Sequence, residues 1–173
     1  MENFVTRKLY SAMIQNNFNE GDLFVTVRLF GVVDKEKFIT DMMNKIRRIV
    51  YPNRSYRKNN PNCIKCFAVI GWVNEKNEKH SAAHILIQNV FFRSTKYSSF
   101  EDLVDGVFRK NRTLPGDVDV KKVWDVVGAT DYALFDQGYD VTVVNDTMSL
   151  VIDNVVSKNI ETTIEGYKKE AVI

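Results

Sequence analysis

The fold of this chain is decided by one stretch, residues 67–87, FAVIGWVNEKNEKHSAAHILI. A hydrophobic run comes first, a polar segment follows at residues 74–79, and a second hydrophobic run returns. This pattern predicts two antiparallel strands joined by a turn, over residues 63–73 and 82–92. Residues 75–86 also contain good helix formers, so a helix there is the alternative.

Further elements are predicted on both sides of this hairpin. Apolar residues at helical spacing and cap residues predict five helices: residues 4–17, Asp34 to about Val50, Ser99 to about Asn111, Thr130 or Asp131 to Phe135, and 148–156. Hydrophobic runs between turn signals predict three more strands, over residues 23–30, 118–127 and 141–144. The central βαββαβ order predicts an α+β fold with a ferredoxin-like core, an antiparallel sheet with helices on one face. A short N-terminal helix precedes this core and a C-terminal extension follows it. We expect one domain over residues 1–156 and a polar, partly disordered tail over 157–173.

Composition bounds the class of protein. The chain has 173 residues, of which 45% are hydrophobic and 27% charged, with a formal net charge of +2. These values are those of an ordinary globular domain. The apolar runs fall short of the roughly 20 residues of a membrane-spanning helix, and no secretory leader pattern is present at the N-terminus. We therefore expect a cytoplasmic protein, in the host cytosol if it is viral, with no membrane partner.

A basic segment at residues 45–65 is a candidate nucleic-acid surface. It contains no acidic residue, and tyrosines lie among its basic residues. Cations bind phosphates and aromatic rings stack on bases, so such a segment is typical of nucleic-acid binding. The candidate contacts are Arg47, Arg48, Arg54, Tyr56, Arg57 and Lys58. A solvated helix end followed by a basic loop is the alternative interpretation.

Both cysteines and both histidines lie within residues 63–84. The spacing of Cys63, Cys66, His80 and His84 fits a Cys2His2 zinc site, whose thiolates and imidazoles are ligands that Zn²⁺ prefers. A hairpin would instead place Cys63 near the end of the strands that lies away from the histidines, and the site would not close. Zn²⁺ is therefore the alternative cofactor.

The hairpin resembles the metal-binding hairpin of the HUH endonucleases, the superfamily of rolling-circle replication initiators and relaxases. Its second strand carries His84 followed by Ile-Leu-Ile. Residues 123–139, VWDVVGATDYALFDQGY, resemble the family's strand and nucleophile helix, with Tyr132 on the helix. As a topology the resemblance covers roughly residues 22–140, and its motifs are short.

The resemblance implies a metal-dependent nick in single-stranded DNA by a viral or mobile-element protein. Tyr132 would attack a phosphodiester and keep the 5′ phosphate. His84 would bind a divalent ion, Mg²⁺ or Mn²⁺, with help from His80 or Glu75, and the ion would polarise the phosphate.

The chain departs from the family's His-hydrophobic-His pattern, because Ala82 stands two positions before His84. No lysine follows Tyr132 on its helix. Either His80 or a carboxylate completes the metal site, or the domain binds nucleic acid without cutting it. The alternative functions are a non-enzymatic module that binds protein or nucleic acid, such as a viral accessory or host-interaction protein, and a zinc-stabilised interaction protein.

Overall fold

The structure is a computed structural model, and it describes residues 2–29, 31–52, 63–75, 78–110, 118–135 and 141–144. The elements in these residues are α1 (Glu2–Asn17), β1 (Leu23–Arg28), α2 (Lys35–Val50), β2 (Cys66–Glu75), β3 (Glu78–Ile87), α3 (Phe100–Arg109), β4 (Val118–Lys122), α4 (Val126–Phe135) and β5 (Val141–Val144). The predicted helix at 148–156, the tail at 157–173 and the domain boundary between them lie outside the described residues. No helix in the described ranges combines the length and the apolar character needed to cross a bilayer.

The α+β class is confirmed. The strands form one antiparallel sheet in the order β4-β1-β3-β2-β5. β2 and β3 pair as a hairpin from Cys66 opposite Ile87 to Glu75 opposite Glu78. The alternative helix over residues 75–86 is therefore wrong. Alternation decides it, because Ala83, Ile85 and Ile87 all enter one hydrophobic core, as period-2 side chains of a strand do.

The first core lies between the sheet and the helices α2 and α3. Val25 and Ile85 from the central strands pack there with Met43 of α2 and Val104 of α3. Both helices begin at the predicted caps: the Asp34 carboxylate accepts from the Lys37 N–H, and the Ser99 hydroxyl accepts from the Asp102 N–H.

The second core lies on the other face of the sheet, under α1 and α4. It contains Ile14 and Phe18 from the N-terminal part of the chain, Phe67 and Leu86 from the hairpin, and Leu134 of α4. The sequence predicted helices on one face of the sheet. α2 and α3 share one face, but α1 and α4 pack on the other. The physical reason is that the hairpin strands carry large apolar side chains on both faces, and the second set also has to be removed from water.

The start of α4 also differs from its prediction. β4 ends at Lys122, and α4 begins at Val126 rather than at residue 130 or 131. The Asp125 carboxylate accepts from the Val127 N–H at 3.0 Å and supports this earlier start. Trp124 therefore lies in the short connection between the two elements and is 84% exposed.

Candidate functional site around His84 and Tyr132

His84 lies at the centre of the sheet. In β3 it is paired with Val69 of β2 on one side and Thr26 of β1 on the other. Its side chain is 2% exposed and lies on the face that carries the second core. Its Nδ1 is 3.2 Å from the Thr26 Oγ1, at hydrogen-bond distance. The neighbouring strand thus fixes the orientation of the imidazole.

Two aromatic rings enclose this imidazole. Phe24 stacks on it with a centroid separation of 5.5 Å and an angle of 22°. Tyr132 of α4 meets it edge-on, at 4.9 Å and 71°. Tyr132 is held there because its neighbours Ala133 and Leu134 are fully buried in the second core. The structure therefore brings together the two residues that the sequence singled out as metal ligand and nucleophile.

Tyr132 is nevertheless half-exposed, at 47%. One side of its ring contacts His84 and Phe24, while the rest of the side chain faces solvent. The phenol ring thus packs on side chains of the sheet with one side, and its other side is accessible to a bound molecule.

A charged pair lies on the edge strand beside these rings. Thr26 is opposite Asp119 of β4, and Phe24 is opposite Lys121. The Lys121 Nζ lies 2.6 Å from the Asp119 Oδ2. This hydrogen bond raises the pKa of the Lys121 ammonium, and the nearby Tyr132 adds a smaller contribution of the same sign. The site therefore carries a lysine that is paired with a carboxylate and lies close to the phenol.

A cavity of about 360 Å³ opens between β4 and α4. Aromatic, apolar and charged residues line it: Phe24, Lys121, Lys122, Val123, Trp124, Asp125, Gly128, Ala129 and Tyr132. It is continuous with the exposed side of Tyr132 and is therefore part of the same site.

The predicted ligands of a divalent ion are not gathered around His84. Along β3, His80 lies four residues from His84, about 13 Å of strand, and Glu75 is opposite Glu78, about 20 Å away. Ligand atoms of a shared ion lie about 2–2.6 Å from it. Ala82, the preceding residue of β3 on the same face, has no ligand atom. Among the described side chains no group of three or more His, Cys, Asp or Glu could hold a metal. The side chains of His80 and Glu75 lie outside the described part, so the Mg²⁺ or Mn²⁺ site stays a prediction.

The residues of the zinc alternative are distributed over both faces of the sheet. Cys66 belongs to the first core, whereas His84 lies on the face of the second core. Cys63 is buried close to Tyr51, beyond the end of α2. The structure does not bring these cysteines to His84.

The two described arginines of the basic segment differ in solvent exposure. Arg47 is fully buried, and its Nε and Nη2 donate to the Ile64 carbonyl at 3.3 and 3.0 Å. These bonds direct its guanidinium into the protein, so Arg47 presents no surface to a bound nucleic acid. Arg48 is exposed at the end of the same helix. The remaining candidates, Arg54, Tyr56, Arg57 and Lys58, lie outside the described residues.

The sequence analysis missed several residues of the site. Phe24 and Thr26 alternate with buried residues along β1, a pattern that marks them as facing the other side of the sheet. Lys121 and Trp124 carried no comparable signal, because their roles depend on where α4 begins. Comparison of the chain with protein-family models, curated proteins and solved structures found no match.

Proposed function

We propose that this chain is a single-stranded-DNA-binding domain of viral or mobile-element type, resembling HUH replication initiators, and that Tyr132 faces the bound strand. The observation that carries the proposal is the contact between the Tyr132 and His84 rings. The two residues lie far apart in sequence, and the resemblance gives them complementary roles as metal ligand and nucleophile in one site. Their contact supports the proposal that they act at the same place.

The topology supports the same proposal. The antiparallel order β4-β1-β3-β2, with α2 and α3 on one face, supports the hypothesis of a ferredoxin-like core. α4 then lies on the opposite face and carries Tyr132. This placement supports a DNA-binding surface formed by the exposed side of α4 and the neighbouring edge strand β4.

The composition of the site favours single-stranded over duplex DNA. Half-exposed and exposed aromatic rings, Tyr132 and Trp124, lie beside Lys121. Aromatic side chains stack on bases that are unpaired, and a lysine contributes phosphate contact without sequence preference. Paired bases would not offer their faces to these rings.

Nicking of the strand is the second candidate activity, favoured by the exposure of Tyr132 beside a cation. In that reaction the phenol oxygen bonds to phosphorus and the bond from phosphorus to the 3′ oxygen breaks. The phenol proton leaves to solvent, and the 3′ oxygen departs as a hydroxyl. Lys121 would stabilise the charge that develops on the phosphate.

Labelled oligonucleotides test both activities: their binding to the protein tests the DNA-binding function, and their covalent attachment to it tests nicking. We expect fluorescence anisotropy to report tighter binding to single strands than to duplexes of the same sequence, with affinity falling as salt rises. Failure to bind any single strand would overturn the proposal.

Denaturing gels of the same samples with Mn²⁺ added test nicking. A covalent adduct that Tyr132→Phe removes and Tyr10→Phe retains would support it. Tyr10 is a suitable control because it also packs against the second core. Binding without an adduct would leave the DNA-binding function standing and eliminate the nicking activity.

A further inference from the structure

The cavity between β4 and α4 has walls of two kinds. Phe24, Trp124 and Tyr132 supply aromatic surface, and the backbone of Gly128 and the small Ala129 complete an apolar side. Trp124 is 84% exposed, a large apolar area for a side chain with so little packing of its own. An exposed tryptophan at the rim of an apolar cavity offers a flat ligand an aromatic surface on which to stack.

Gly128 lies against the carboxylate at the start of α4. A Cβ atom at this position would lie 2.5 Å from the Asp125 Oδ2. The same carboxylate accepts from the Val127 N–H through its other oxygen. A side chain at residue 128 would therefore displace the group that starts α4.

The rim of the cavity carries one lysine that faces α4. Lys121 contacts Asp119, and its side chain remains 72% exposed and can approach a ligand. Lys122 also borders the cavity, but its Nζ lies 3.9 Å from Glu101 of α3, on the other face of the sheet. Asp125, the acidic residue of the lining, is occupied at the start of α4. The cavity thus combines an apolar, aromatic interior with a cation at its entrance.

We propose that this cavity binds one nucleobase of the single strand, stacked against Trp124, with Lys121 at the adjoining phosphate. The inference rests on the proposed function and names the subsite in which it is carried out. A nucleotide fits both features, because the π-face of its base suits the aromatic walls and its phosphate suits the lysine. The volume of about 360 Å³ lies at the lower end of the range for ligand pockets, as expected for a single base.

An abasic scan tests the subsite. A labelled oligonucleotide that binds the protein is compared with versions that each lack one base, by fluorescence anisotropy. We expect one or two positions at which the missing base weakens binding about fivefold or more, the loss typical of one stacked base. Trp124→Ala should weaken binding of the intact strand by a similar factor and should abolish the penalty at those positions.

The matched control is Phe91→Ala. Phe91 is 95% exposed, and it lies outside the lining of this cavity. Trp124→Phe retains an aromatic face and should recover most of the affinity, while circular dichroism confirms that each variant is folded. If the wild type binds DNA but Trp124→Ala behaves as Phe91→Ala does, the base subsite is eliminated and DNA binding stands. If the wild type binds no single strand, the proposed function itself fails.

Discussion

The imidazole of His84 packs edge-on against the phenol ring of Tyr132, with 4.9 Å between ring centroids. This contact joins the central strand β3 to the helix α4, and Phe24 packs against both rings. Because His84 is buried and Tyr132 half-exposed, the pair links the core to the surface. Changes that disturb the imidazole should therefore affect both stability and the proposed DNA-binding face.

The hydrogen bond between Thr26 and His84 gives the first prediction. Thr26→Val keeps the shape of the side chain and removes its hydroxyl, so the His84 Nδ1 loses this partner. We expect the free energy of unfolding, measured with urea, to fall by about 1 kcal/mol. Thr40→Val is the control, since Thr40 is also half-buried but lies in α2. Equal effects of the two substitutions would contradict the assigned bond.

Arg47 and Arg48 give the second prediction, because neighbours in one helix differ in burial. Arg47→Ala removes a buried guanidinium from the Ile64 carbonyl and leaves a space behind. The expected loss of unfolding free energy is about 2–4 kcal/mol. Arg48→Ala, at an exposed position, should change it by less than about 0.5 kcal/mol. A comparable loss in both variants would show that the burial of Arg47 is not the cause.

Lys121 gives the third prediction, which concerns DNA binding. If it contacts a phosphate, Lys121→Ala should weaken binding at all sequences and reduce the slope of log affinity against log salt by about 0.7–1. Lys37→Ala is a closely matched control. Its Nζ lies 2.6 Å from the Asp41 Oδ2 and is 69% exposed, against 2.6 Å from Asp119 and 72% for Lys121, but it lies on α2. A reduced slope with Lys37→Ala, or none with Lys121→Ala, would place the DNA elsewhere.

Ala82 gives the fourth prediction. It lies two residues before His84 in β3, so both side chains point to the same face of the sheet. Ala82→His would place a second imidazole beside the first. We expect Mn²⁺ to raise the melting temperature of this variant by about 2 °C or more through preferential binding to the folded state. Its effect on the wild type should be smaller, and an equal rise in both proteins would indicate that Mn²⁺ binds at another place.

Much of the fold was predictable because its signals are local. The caps at Asp34 and Ser99 are decided by contacts within three residues. The hairpin follows from two hydrophobic runs and a polar turn. The helical alternative could not be rejected from composition, since good helix formers tolerate a strand when the partner strands bury one face of it.

The sequence by itself determined the class of the protein, most of its elements and the two residues, His84 and Tyr132, at the centre of the site. The tertiary structure alone decided that these residues meet, that Arg47 is buried and that Trp124 is exposed. Each of these outcomes depends on pairing and packing between distant segments: β1 between β3 and β4, and α4 against the second core. The local spacing of apolar residues identifies an element as helix or strand. Which element packs on a given face depends on how the whole chain can bury the most apolar surface.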